Sequence, residues 1–549
     1  MQAVKLNMGE RRGVPASLAE AAIRNCKRRL RSEKLRDSLG TKLRGGELLA
    51  RALVLRRILR RQMLPPDDPL VGILLPPSVA AVVTNLALTL DNRVTVNLNY
   101  SLTSELLNSS IRQSGVTHVL TSRRVLDRLA LDLDAELVIL EDFRDAATWK
   151  DKVIGGLMAY ALPARVIART LGVHDVADDD VISIMFTSGT TGDPKGAVLT
   201  HGNLKFNLES VDAIIRLDAH DVLIGVLPFF HSFGYSITFW GALVFDVRVA
   251  YHFNPLEAQS VGALTREAGG TILLATPMFL RAYERRCDPE DFSTLDVLIT
   301  GAERLPPTVA DAFEARFGIH PIEGYGTTET SPLISANVPA SRAVGDPSLS
   351  AREGSVGKPV PGVCVKLVDP ESGEDVPEGG QGVLHVAGPN VMAGYLDRPE
   401  ETRLAIQDGW FVTGDICTID PDGFITIVGR ASRFAKIAGE MVPLVRIEEA
   451  LADVVGFDDS GAPRVAVVAV ADAARGERLV VVHTRVDHSI EDIRRKLGLS
   501  GLPNLYLPGP ESFIEVDELP MVGSGKVDLA RVSAIARERF QDPHAGVDR

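Results

Sequence analysis

The 549-residue chain is 45% hydrophobic and 24% charged, with a net charge of −13. This composition excludes an intrinsically disordered or low-complexity chain, and the length exceeds what one compact core accommodates, so two or more domains are expected. Its four cysteines, Cys26, Cys287, Cys364 and Cys417, form no CxxC pair and no zinc-type cluster with histidine, which argues against a disulfide framework and for a reduced, cytoplasmic protein.

Residues 1–62 hold 17 Lys and Arg against 5 Asp and Glu, so the acidic balance of the whole chain hides a basic start. The segments Lys27–Arg36 (KRRLRSEKLR) and Leu55–Gln62 (LRRILRRQ) supply most of that excess. Two readings stand side by side. One is solvated helix faces. The other is a basic patch for peripheral contact with an anionic membrane or an acidic carrier protein. Nucleic acid is not expected as a partner, because no recognition module accompanies the charge. Charges also occupy the N-terminal positions where a secretory signal needs its apolar core.

From about Leu70 to Glu323, short apolar runs such as LVGILLPP, DVISIMFTS and TILLATP alternate with helical patterns. That alternation predicts parallel strands in an α/β architecture. The longest apolar stretch, Ile154–Leu171, is interrupted by Pro163, Arg165 and Arg169 and falls short of the ~20 apolar residues that span a bilayer. It is expected as a buried or half-buried helix, or as a surface element that touches lipid or gates an acyl tunnel.

The segment TSGTTGDPKG, Thr187–Gly196, follows an apolar strand at Asp180–Phe186. Its glycines at 189, 192 and 196 let the backbone turn tightly and aim amides at an anion. Thr187, Ser188, Thr190 and Thr191 add hydroxyls, and Lys195 adds a positive charge. This is chemistry for a polyphosphate. It is not the Walker pattern, since Gly196 stands where Ser or Thr would follow the lysine. From Gly354 to Val428 the texture changes to alternating strands with Asp-Gly and Gly-Gly turns, which predicts a small antiparallel barrel or sandwich. A further α+β unit begins after Arg430.

The Thr187–Gly196 segment resembles the phosphate-binding signature of the adenylate-forming superfamily, which includes acyl-CoA synthetases, peptide-synthetase adenylation domains and firefly luciferase. Four further segments resemble its motifs in the expected order: GYGTTET (Gly324–Thr330), GWFVTGD (Gly409–Asp415), Gly429-Arg430, and LPMVGSGKVD (Leu519–Asp528). The resemblance covers nearly the whole chain. It implies an α/β fold with a large multi-layer N-terminal domain of parallel sheets plus a small β-barrel over residues 1–430. A smaller, mobile α+β lid would occupy residues 431–549.

The same resemblance assigns roles. Thr187, Ser188, Gly189, Thr190, Thr191, Gly192 and Lys195 would cradle the phosphates of ATP. Gly324, Tyr325, Gly326 and Thr327 would bind the adenosine, with Tyr325 stacked on adenine. Glu329, with Thr187, would hold Mg2+ through oxygen ligands. Asp415 would accept from the ribose hydroxyls, and Arg430 would reach ribose or phosphate. Lys526 would stabilise charge as a carboxylate attacks the α-phosphorus. His231, within LPFFHSFGYS (Leu227–Ser236), would gate the acid pocket or contact the acyl-adenylate. That segment carries no Asp and is rich in Phe, which disfavours an α-amino acid. An apolar pocket suits an alkyl chain, each buried CH2 being worth ~0.8 kcal/mol.

The segment Gly429–Leu451, with RFAKIAGEMV at its centre, resembles the synthetase part of the bifunctional acyl-carrier-protein synthetase/2-acylglycerophosphoethanolamine acyltransferase. At the hinge, where most of the superfamily has Asp or Lys, this chain has Arg433. The expected activity is a fatty acid ligase that forms acyl-AMP and passes the acyl group to CoA or to the phosphopantetheine of acyl carrier protein. An aryl or other carboxylic acid–CoA ligase, and a fatty acid adenylating enzyme that does not use CoA, are the alternatives.

Overall fold

The computed structural model describes residues 17–65, 68–187, 194–437, 440–458, 462–472, 476–486, 488–521 and 527–541. Four-residue runs such as Val222–Gly225 and Ile272–Ala275 are buried at every position. Such strands need cover on both faces, and only the interior of an α/β sheet supplies it. The helices between them start on side-chain caps, with Ser78, Thr200 and Thr276 accepting from backbone amides three residues on. Several end on glycines in the left-handed conformation, at Gly115, Gly172, Gly269 and Gly318.

Two large sheets result. In the nine-stranded sheet, six strands from Ile322–Gly326 across to Glu33–Asp37 run parallel, and antiparallel strands close both edges. The seven-stranded sheet has five parallel strands, from Val181–Thr187 to Glu136–Ile139, and ends in the antiparallel pair Lys195–Thr200 and Gly394–Tyr395. One continuous apolar cluster, from Leu18 to Met392, packs both sheets and their helices. The turn-rich region folds into a five-stranded antiparallel sheet, Cys364–Val368 to Ile425–Arg430, with its own core around Leu384, Cys417 and Ile425.

Past Arg433 the chain builds a second five-stranded sheet. Its strand Val465–Asp472 alternates strictly. Val465 and Val467 join a cluster with the helices Leu444–Val455 and Ile490–Leu499, while Ala466, Val468 and Val470 join one with Val532 and Ala536 of the last helix. No apolar cluster of the described residues mixes this unit with the rest.

Two expectations resolve in detail. Lys5, Arg11 and Arg12 lie outside the described residues, and much of the remaining basic N-terminal charge is paired within the fold. Lys34 is fully buried and donates to the carbonyls of Phe245 and Val247, Arg29 pairs with Asp246, Arg56 and Arg60 with Asp91, and Arg57 and Arg61 with Asp151. The apolar stretch Ile154–Leu171 falls in two helices, Trp149–Ala161 and Ala164–Leu171, with Pro163 at the break. The first buries small residues, Gly155 and Ala159, and leaves large ones outside.

Candidate active site

A cleft of about 2470 Å3 is lined by residues of all four sheets, among them Thr187, Lys195, Tyr325, Thr413, Arg430 and Phe434. The strands Val181–Thr187 and Lys195–Thr200 are antiparallel partners, and Thr187 pairs directly with Lys195. The Thr187 hydroxyl donates to the Lys195 carbonyl at 3.4 Å. Ser188, Gly189, Thr190, Thr191 and Gly192 lie outside the described residues, and so does Lys526. The flanks of the Lys526 segment, Met521 and Val527, pair in an isolated bridge and line the cleft.

The strand Ile322–Gly326 leads into a tight turn. A Cβ on Gly326 would sit 1.8 Å from the Pro332 carbonyl oxygen, so only glycine fits this close approach. The turn is tied down from below. Buried Asn207 donates to the Thr330 carbonyl at 3.0 Å and accepts from the Leu333 amide at 2.9 Å. The Ser236 hydroxyl donates to the Ser331 carbonyl, and Asn390 to that of Leu333. Gly324, Tyr325, Gly326, Thr327 and Glu329 are thereby presented together along one wall of the cleft.

Asp415 lies on the strand Trp410–Ile419, opposite Arg430 on the strand Ile425–Arg430. Asp415 is 4% exposed, and each of its carboxylate oxygens has one donor. Tyr325 donates its hydroxyl at 2.5 Å to one oxygen, and the Arg430 guanidinium donates at 2.9 Å to the other. Burial, then the neighbouring Asp415 charge, pushes the Tyr325 phenol well above its ordinary range, so it remains a donor. A carboxylate with lone pairs held at fixed angles suits the recognition of a vicinal diol.

A second constellation lies nearby. The Tyr395 hydroxyl donates to the Glu329 carboxylate at 2.7 Å, and the Lys195 ammonium stands 5.5 Å over the Tyr395 ring. Burial and the Glu329 charge raise the Tyr395 phenol, which keeps its proton on that bond. Tyr395 was not legible as a site residue. Its only sequence signal is an aromatic in the polar run GYLDRPEET. Among the described residues no group of three or more His, Cys, Asp or Glu could hold a metal. A divalent cation here would rely on Glu329 and on oxygens of a bound phosphate, which is how Mg2+ is commonly held.

His231 is on the cleft wall, its ring 4.5 Å from that of Phe230. Phe230 in turn meets Tyr100 edge-on at 4.8 Å. Phe186, Phe253, Met278 and Phe279 add to an apolar lining. The Tyr100 hydroxyl is buried with no hydrogen-bond partner among the described residues, and burial raises its pKa.

Arg433 also borders the cleft, but its partners belong to the C-terminal unit. Its guanidinium donates to the Val467 carbonyl at 2.9 Å and pairs with Glu448 at 2.5 Å, which fastens it to the C-terminal unit. Among the described residues, three side-chain contacts connect that unit to the rest. Arg304 reaches both oxygens of Glu449 at 3.0 Å, Arg281 lies 4.0 Å over the Phe457 ring, and Lys436 pairs with Glu371 at 2.7 Å.

The profile of the AMP-binding enzyme family matches residues 23–396. A long-chain-fatty-acid–CoA ligase of Yersinia pestis is 33% identical over 363 residues, 64% of this chain and 61% of that protein, so under two thirds of its length is matched. A feruloyl-CoA synthase of an Amycolatopsis species is 31% identical over 388 residues, 68% of this chain and 75% of that protein. Among solved structures, ATP-bound MatB from Rhodopseudomonas palustris superposes with a TM-score of 0.75 at 27% identity, covering 95% of this chain and 99% of that one.

Proposed function

Because this chain belongs to the AMP-binding enzyme family, we propose that it activates a fatty acid with ATP and transfers the acyl group to a phosphopantetheine thiol. In the first step a carboxylate oxygen attacks the α-phosphorus of ATP. The bond to the β-phosphate breaks, and pyrophosphate leaves with its electrons. In the second step a thiolate adds to the acyl carbonyl, and AMP departs. The thiol belongs to CoA or to an acyl carrier protein.

The observation that carries this reading is the Tyr325–Asp415–Arg430 constellation, on the same cleft as Glu329 and an apolar, Phe-rich lining. Asp415 and Arg430 would hold the ribose, and Tyr325 the adenine. Thr187, Lys195 and the residues between them would hold the phosphates. Glu329, oriented by Tyr395, would carry Mg2+, which would neutralise phosphate charge. Lys526 would meet the carboxylate as it attacks, and His231 would border the acyl carbonyl. Positioned cations and dipoles supply most of the catalysis in such a displacement.

The proposed division is a catalytic body at residues 1–430 and a lid at 431–549. The Arg433 side chain travels with the lid, so the turn between the two steps falls on backbone torsions around Ala431–Arg433. An aryl acid is the second reading. The unpaired Tyr100 hydroxyl favours it, as it could receive a polar substituent on a ring. Pyrophosphate release measured across aliphatic and aryl acids, with CoA and carrier protein added in turn, tests both. Long aliphatic acids should give the highest kcat/KM. Release with aryl acids alone would transfer the assignment to the second reading, and release with neither would end both.

A further inference from the structure

The helix Trp149–Ala161 turns the usual amphipathic rule around. Its inward face, packed on the helix Gly45–Ile58, consists of Asp151, Gly155 and Ala159. Its outward face presents Trp149 at 70% exposure, Leu157 at 59%, Val153 at 47% and Tyr160 at 45%. At 100° per residue these four fall within about 80° of the helix circumference, a continuous apolar strip. Ile154 and, on the next helix, Val166 extend it.

The exposed charges of this helix and the next share one sign. Lys150 and Lys152 flank it, and Arg165 and Arg169 are exposed on the following helix. Lys27 donates to the carbonyls of Ala159 and Tyr160 at the C-terminal end, with exposed Arg28 beside it. The single carboxylate of this helix, Asp151, is fully buried and accepts from Arg57 and Arg61. Large exposed apolar side chains rimmed by cations form the pattern of an interfacial helix. No described helix is long and apolar enough to cross a membrane.

We propose that the outward face of Trp149–Ala161, together with Val166, Arg165 and Arg169, seats on the surface of an anionic lipid bilayer. The rings and aliphatic side chains would enter the headgroup–acyl boundary while the lysines and arginines meet lipid phosphates. A second copy of this chain is a poorer occupant, because a two-fold pairing sets the cationic rim against itself. The segment 1–16 is poorer as well, since its Lys5, Arg11 and Arg12 outnumber Glu10. This inference does not depend on which acid the enzyme activates.

The test is co-sedimentation of the full chain with vesicles of phosphatidylcholine alone, or with roughly 30% phosphatidylglycerol to mimic an anionic leaflet. Binding to the anionic vesicles only is expected, weakening as salt rises. Val153→Glu/Leu157→Glu should lower it at least about tenfold while adenylation of a short, soluble acid and the melting temperature stay unchanged. Brominated phosphatidylglycerol should quench the wild type, and Trp149→Phe should remove most of that quenching, since Trp240 is fully buried and the remaining tryptophan, Trp410, is half-buried on the antiparallel sheet beneath Lys366. The proposal is overturned if wild type ignores anionic vesicles, or if the double variant binds as well as wild type. It is equally overturned if the double variant changes only self-association, or if binding appears only after residues 1–16 are removed.

Discussion

The Tyr325–Asp415 wall of the cleft and the C-terminal unit are built on opposite terms. The Gly324–Thr330 turn is fixed from beneath by Asn207, Ser236 and Asn390, all buried, and Asp415 is held from both sides by Tyr325 and Arg430. The C-terminal unit has two apolar clusters of its own. It meets the rest through polar contacts that are largely exposed, such as Arg304–Glu449 and Lys436–Glu371. A preorganised wall costs little to reorganise when a ligand binds, whereas a unit latched by surface pairs can be repositioned cheaply. A two-step enzyme whose second step needs a different arrangement around the same cleft would use both properties.

Breaking the rigid side should cost far more than breaking the surface pairs. Asp415→Ala leaves Tyr325 and Arg430 without their shared acceptor and should lower kcat/KM for ATP by about 100-fold, with the fold retained by circular dichroism. Asn207→Ala strands the Thr330 carbonyl and the Leu333 amide, each at about 1–3 kcal/mol, and urea unfolding should register that loss. His201, at the start of the helix His201–Ile214, sharpens the contrast through pH. Burial lowers its pKa from 6.5 to about 4. The unfolded chain therefore binds more protons between those values, so stability falls as pH drops from 6.5 toward 4. The loss attributable to this group is about 3 kcal/mol. His201→Gln should lose correspondingly less stability over that window. On the loose side, Arg304→Ala should cost under about 1 kcal/mol. Its signature should be a changed ratio of the two half-reaction rates rather than a lowered melting temperature.

The division between what the chain's order reveals and what it hides follows the same line. Strand runs, caps and glycine turns are local, so the α/β architecture and the antiparallel region were readable from periodicity. The segments around Thr187, Tyr325, Asp415 and Arg430 stood out because each is a compact run of distinctive residues, and the fold gathers them at one cleft. Tyr395 and Asn207 were not. Tyr395 acts on Glu329 66 residues away, and Asn207 on Thr330 and Leu333 123 and 126 residues away, distances over which spacing carries no signal. Trp149–Ala161 left a buried and a surface reading open for another reason. Its large apolar residues would be assigned to the core, yet its small ones are buried. The N-terminal basic residues likewise read as a surface patch until their partners, Asp91, Asp151 and Asp246, are brought to them by the fold.

Separating the half-reactions in Lys526→Ala probes the proposed division of labour between body and lid most directly. ATP–pyrophosphate exchange with a fatty acid should fall by about 100- to 1,000-fold, while thioester formation from supplied acyl-AMP stays near the wild-type rate. Equal loss of both rates, or exchange at the wild-type rate, would contradict a lid lysine that serves adenylation alone.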